Sequence, residues 1–302
     1  EFAEVPIDAS QLIWVATAND ARSIPDPILN RMNVYEVQAP DHDAARRIAA
    51  KLYHGIRAEH DWGSRFEPQA PFEPRVSALS AATQRILERL GAWSGICARS
   101  ASPYVEMRVW DGSGTGSIHF SAASVHATTL GHIVENRVVQ DALLERLHAS
   151  DLQLVGGARL EQLRHSGDDW LLGLSDGRQL RTPLLVAADG ANSAVRRLAG
   201  CATREWDYLH HAIVTSVRCA EPHRRTAWQR FTDDGPLAFL PLCRGDDLHW
   251  CSIVWSVTPD EAARLMALDD EAFRDALGRA FEYRLGVVEA VDPRLCIPLR
   301  QR

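Results

Sequence analysis

The sequence predicts an α/β fold in which a doubly wound, parallel-sheet portion gives way to an antiparallel sheet. Three observations predict it. The apolar run Leu184-Leu185-Val186-Ala187-Ala188 ends in Asp189-Gly190-Ala191-Asn192-Ser193 and passes into the basic helical segment Ala194-Val195-Arg196-Arg197-Leu198. That is the pattern of a buried parallel strand whose C-terminal end turns into a helix, with Gly190 easing the turn and Asp189 as a hydrogen-bond acceptor. Before it lie segments with apolar residues at helical spacing, and after it, from His211 to Val257, the period changes to the alternation of strands.

Taken in order, Leu12–Thr17 reads as a buried strand closed by the polar turn Ala18-Asn19-Asp20. A short proline-opened helix covers 25–31, a second strand 33–37, and a helix capped by Asp41 or Asp43 runs to about Ile56. Pro68, Pro71 and Pro74 then exclude regular helix, which places a boundary near residue 66. From Arg75-Val76-Ser77-Ala78-Leu79-Ser80 a helix is expected through Leu90, burying Leu79, Ile86, Leu87 and Leu90 and stopped by Gly91. Tyr104–Trp110 and Ser117–Phe120 read as a hairpin. The glycines between them, Gly112-Ser113-Gly114-Thr115-Gly116, lack dinucleotide-loop spacing and lead into a strand rather than a helix. Leu130–Arg137 opens a helix through Leu147, and a single packing helix covers Pro259–Leu277 with Ala262, Leu265 and Met266 on one face.

Composition excludes several functions. The 302 residues suffice for about two domains, and a content of 46% hydrophobic and 24% charged residues is that of a soluble chain. No apolar run nears the roughly 20 residues of a membrane span, and no signal-peptide pattern is present, so a cytoplasmic setting is expected. A formal charge of -7 argues against nucleic-acid binding. Six cysteines without a C-x-x-C pair, and His210-His211 without a ligand partner, signal no metal site; most of the thiols are expected to be buried. Lys51 is the single lysine and lies outside any Gly-Lys-Ser/Thr sequence, which rules out a P-loop. Trp228, Phe239 and Trp255 are read as core before pocket wall.

Two resemblances refine this reading. The Arg-Val-Ser-Ala block at 75–78, the Val-Glu-Asn-Arg block at 134–137 and the Asp-Gly-Ala-Asn-Ser run at 189–193, in this order, resemble the FAD-dependent hydroxylases of ubiquinone biosynthesis, within the family typified by para-hydroxybenzoate hydroxylase. The resemblance implies that Arg75 contacts the flavin dinucleotide near its diphosphate. It also places Asn136, Arg137, Asp189 and Gly190 along the cofactor. The antiparallel sheet would roof the flavin ring and wall the pocket of a phenolic or prenylated phenol substrate, excluding water while oxygen is transferred, with NAD(P)H as reductant. Separately, 2–56 is similar to the second half of a Lon-type AAA+ ATPase module, which would make Asn19 the sensor of the attacking water and Arg31 the finger on the γ-phosphate. Without the phosphate cradle, a strand cap and a surface cation are the alternatives.

The expected organisation is therefore a partial AAA+ segment (1–66), an incomplete FAD/NAD(P)-binding Rossmann-like domain with an inserted hairpin (67–200), and an antiparallel β substrate domain with a helix (201–302). The glycine-rich diphosphate loop and the later Gly-Asp fingerprint of the hydroxylases are not found in the sequence. Losing about three charge-assisted contacts, worth roughly 1.5–3 kcal/mol each, predicts weak or absent FAD binding. It equally predicts self-association through an exposed sheet edge and leaves open a non-catalytic chimera. A lipophilic substrate would bring peripheral contact with the inner membrane.

Overall fold

A computed structural model of the chain describes residues 72–301. The chain divides between His60 and Asp61. All described residues lie in the second unit, so the elements expected in 1–66 fall outside them.

Strand β1 (Val76–Leu79) ends at Ser80, whose hydroxyl accepts the Thr83 N–H at 3.3 Å and caps helix α1 (Ala81–Arg89). Gly91, at φ +70°, turns the chain into α2 (Trp93–Arg99). β2 (Ser102–Tyr104), β3 (Glu106–Asp111) and β4 (Ser117–Ser121) follow, and β5 (Gly131–Glu135) runs without a break into α3 (Asn136–His148). β6 (Leu160–Ser166), β7 (Asp169–Leu174) and β8 (Gln179–Thr182) form an antiparallel meander. After α4 (Ala194–Leu198) come four long strands, β9 (Trp206–Cys219), β10 (Thr226–Thr232), β11 (Gly235–Arg244) and β12 (Asp247–Val257). Helices α5 (Pro259–Met266) and α6 (Asp270–Ala280), then β13 (Val288–Val291) and β14 (Leu295–Gln301), complete the described chain.

Two of the three sheets organise the molecule. The small sheet has the order β1-β5-β2, and α1 to α3 cover it through Leu87, Ile96, Val138 and Ala142, which meet Leu79 and Val134. The large sheet has eight strands in the order β13-β9-β12-β11-β10-β3-β4, with β14 also paired to β9. Because β3 joins β10 in parallel, the hairpin of the middle of the chain extends a sheet built by the last hundred residues, and the sheet is mixed rather than antiparallel throughout. One face packs under α5 and α6 through Ile213, Val217, Phe239, Ile253, Leu265, Phe273 and Leu277. Residues alternate in a strand, so the other face carries Val214 and Ser216 of β9, Trp250 and Ser252 of β12, and Leu240 and Leu242 of β11.

Several expectations need correction. Leu184–Ala188 is not a buried strand: Leu184 and Val186 are 73% and 74% exposed, and no strand among the described residues pairs with the run. A parallel strand is held by neighbours on both sides, so an apolar run cannot form one alone. Ile86 and Leu90 are exposed, leaving Leu79 and Leu87 as the buried pair of their segment. The expected strand over 104–110 breaks at Val105, where the chain leaves the small sheet for the large one and the Val105 N–H donates to the Arg225 carbonyl at 2.8 Å. Residues 131–135 are strand, and the helix starts only at Asn136. The helix over 259–277 is two helices, because Asp269 accepts the Ala272 N–H at 2.8 Å and caps a new one. Among the thiols only Cys219 and Cys251 are buried, and Cys97 and Cys201 are exposed. Phe239 and Trp255 are core, with Trp228 packed against them, as read. The glycine-rich 112–116 segment is a hairpin connection.

Candidate functional site

The antiparallel register of β1 with β5, Val76 opposite Glu135 and Ser77 opposite Val134, brings two distant sequence blocks to one corner. There the Asn136 N–H donates to the Arg75 carbonyl at 3.0 Å, and the Ser77 hydroxyl donates to Asn136 Oδ1 at 2.7 Å. Ser77 thereby fixes the Asn136 amide in orientation, with its NH2 group left as a donor. Glu135 is 2% exposed and accepts the Glu73 N–H and the Arg137 guanidinium, each at 2.6 Å. Burial pushes its carboxyl above the usual range, against the pull of both donors. The Glu73 carboxylate in turn accepts the Arg137 backbone N–H at 2.7 Å, satisfying the start of α3 where the N-cap residue supplies no side-chain bond. Arg137 is thus committed to Glu135. Arg75 is exposed and forms no ion pair among the described residues.

Asp189 is placed differently. Its carboxylate accepts the Ser193 hydroxyl at 2.5 Å and the Ala194 and Val195 N–H groups at 2.7 and 3.2 Å, which hold it below the usual carboxylate range. It caps α4, and Gly190 makes the turn at φ +78°. The structure therefore brings Arg75, Asn136 and Arg137 together, while the contacts of Asp189 lie within its own turn. Asn19 and Arg31 lie outside the described residues. Glu73 and Glu135 were missed in the sequence, although a glutamate closing the apolar run Ile133-Val134, two residues before an arginine, signalled a buried pair.

A second polar group lies on the face of the large sheet away from α5 and α6. Phe72 packs against Ile133 and Leu242 together with Leu240 and Trp250, and its N–H donates to the Asp292 carboxylate. Arg244 lies over the Phe72 ring at 4.2 Å and over Trp250 at 5.4 Å. Burial pushes the Asp292 carboxyl up, against the nearby Arg244 charge. Asp292 Oδ2, Ser216 Oγ and Ser252 Oγ are buried, and none has a hydrogen-bond partner among the described residues. Such groups cost about 1–3 kcal/mol each when unsatisfied. Ser216 and Ser252 are cross-strand partners, and the Asp292 N–H donates to the Ser216 carbonyl at 2.9 Å, which places all three on one patch.

Among the described residues no cluster of His, Cys, Asp and Glu is arranged to hold a metal. His210 bonds to the Tyr208 and Asp234 carbonyls, and His211 lies 3.7 Å from Cys296 Sγ. No described helix is long and apolar enough to cross a membrane.

The curled mixed sheet beside a smaller α/β layer is like the fold of FAD-dependent monooxygenases. The chain belongs to the FAD binding domain family, whose model matches residues 67–293. It is 34% identical over 232 residues to 3-demethoxyubiquinol 3-hydroxylase of Escherichia coli, which covers 76% of this chain and 58% of that protein. It is 35% identical over 226 residues to the ubiquinone hydroxylase UbiL of Rhodospirillum rubrum, covering 74% and 51%. With human ubiquinone biosynthesis monooxygenase COQ6 the identity is 34% over 221 residues, covering 70% and 46%. The chain thus spans about half the length of the curated relatives it matches. Among solved structures, Pseudomonas aeruginosa PqsL in complex with 2-aminobenzoylacetate superposes with a TM-score of 0.61 at 22% identity, over 78% of this chain and 65% of that one. Klebsiella pneumoniae HpxO complexed with FAD and uric acid gives 0.53 at 16% identity, over 74% and 58%. These two likenesses show the fold.

Proposed function

We propose that this chain is the FAD- and substrate-contacting part of an aromatic-ring hydroxylase of the ubiquinone-biosynthesis type, using NAD(P)H as reductant and a phenol, free or prenylated, as substrate. The observation that carries it is the corner formed by Arg75 and the adjacent pair Asn136-Arg137, two blocks distant in sequence and joined by the β1–β5 register.

The residues fit the cofactor. Arg75 offers an uncommitted, permanently charged fork for a diphosphate, and the Asn136 amide offers a donor beside it. Arg137 neutralises Glu135 and so keeps the start of α3 in place. Gly190 has open space where a Cβ would stand, which permits close approach of a ligand to the backbone. When bound, FAD supplies the activation of molecular oxygen. The protein residues bind it, orient the ring to be hydroxylated and exclude water. A prenylated substrate would bring the protein to a membrane surface.

The test is incubation of the protein with FAD, NADH or NADPH, oxygen-18 gas and a short-chain prenylated phenol, followed by mass spectrometry. The expected product carries one oxygen-18 atom on the ring and forms only when all components are present. Reductant consumption that the phenol does not stimulate, with no labelled product, contradicts the proposal.

A further inference from the structure

We propose that Asp292 accepts the proton of the substrate's ring hydroxyl, with the Ser216 and Ser252 hydroxyls holding the ring oxygen. This rests on the hydroxylase reading above and assigns the chemistry of its substrate side to three named residues.

The starting point is an anomaly of satisfaction. Buried polar atoms in folded chains almost always have partners, yet Asp292 Oδ2, Ser216 Oγ and Ser252 Oγ have none among the described residues. They belong to one patch. Ser216 and Ser252 stand opposite each other on β9 and β12, and the backbone of Asp292 is bonded to Ser216. They lie on the face away from α5 and α6, where Trp250 and Leu240 pack with Phe72, Ile133 and Leu242 into an apolar surround.

The three atoms match one ligand group. A phenolic oxygen donates one hydrogen bond and accepts two; a carboxylate oxygen only accepts, and a hydroxyl can donate. The Phe72 backbone bonds to the Asp292 carboxylate, whose Oδ2 has no hydrogen-bond partner among the described residues. In the step proposed, the substrate O–H bond breaks, its proton goes to Asp292 Oδ2, and the bonding pair stays on the ring oxygen. The resulting phenolate donates charge into the ring, so the carbon ortho to it becomes a stronger nucleophile toward activated oxygen. The proton held on Asp292 remains available to the product oxygen, so the carboxylate is regenerated within the cycle. Arg244, over the Phe72 and Trp250 rings and close in charge to Asp292, offsets the negative charge gathered there.

The experiment titrates the whole chain with para-fluorophenol and with para-fluoroanisole, which has the same ring but no proton to give, followed by fluorine NMR. Wild-type protein is expected to bind the phenol roughly tenfold or more tightly than the ether, and to move the bound phenol signal toward that of the phenolate. Asp292→Asn, which keeps an acceptor for Phe72, should lose that preference and that shift while binding the ether as before. Ser252→Ala removes a hydroxyl with no hydrogen-bond partner among the described residues, so it should fold normally and weaken the phenol alone. The proposal is overturned if wild-type protein does not discriminate between the two ligands, or if both variants keep the wild-type ratio. Titration with FAD, followed by flavin fluorescence, separates the two readings. Flavin binding with no phenol preference sinks the Asp292 role alone, whereas phenol preference without flavin binding sinks the hydroxylase reading and leaves a phenol site.

Discussion

Arg137→Met is expected to destabilise the chain by about 3–5 kcal/mol, measured by urea unfolding without any ligand. The cause is Glu135. With its side chain 2% exposed, its charge is tolerated because Arg137 and the Glu73 N–H stand 2.6 Å away. Removing one partner of a buried pair leaves the other uncompensated, and this costs more than the pair contributed. The sign of the pH effect follows. The Glu135 carboxyl is already raised by burial, and loss of the cation raises it further. A carboxyl raised in the folded state favours folding below its unfolded value and loses that contribution as the pH climbs through the folded one. The deficit of Arg137→Met should therefore shrink toward pH ~4 and be largest near neutrality. Glu135→Gln combined with Arg137→Met should recover much of the loss. If Arg137 served only the ligand, unfolding of the free protein would not change.

The second large effect concerns Phe281, which should cost about 3–5 kcal/mol on replacement by alanine. It follows α6 directly, is 2% exposed, and stacks on Phe239 with ring centroids 3.6 Å apart. Trp110 and Trp228 meet its ring at 5.5 and 6.4 Å. These contacts come from β11, β3 and β10, so one side chain ties the hairpin to the strands that the later sequence builds. The cavity left by alanine would loosen that junction, and the β3–β4 amides should exchange faster in hydrogen-exchange experiments. Unchanged protection there would mean that the parallel β3–β10 pairing holds without the aromatic cluster.

What the sequence made legible divides along the range of the interactions. The strands within 211–257 were read from alternation, and the hairpin of 104–120 from its turn, because both are local patterns. The break at Val105 was not, since it records which sheet each half joins. Leu184–Ala188 misled for the same reason: an apolar run states a preference for burial, and the neighbours that would bury it are not written in the run. At Asp269 the sequence did hold the signal, an acidic cap three residues before the amide it accepts, but the apolar spacing of 262–266 overrode it. The resemblance named Arg75, Asn136 and Arg137, and the β1–β5 register joined them. Glu73, 64 residues before the amide it serves, could not be found by spacing. Nor could Asp292, whose interest lies in the hydrogen bonds it does not make.

The central claim is that the β1–α3 corner faces a flavin dinucleotide, and titration of the free chain with FAD tests it most directly. The account predicts saturable quenching of flavin fluorescence, weakened about tenfold or more in Arg75→Ala, whose exposed side chain forms no ion pair among the described residues. Flavin fluorescence that stays at its free value throughout, or equal affinity in wild type and Arg75→Ala, would contradict it.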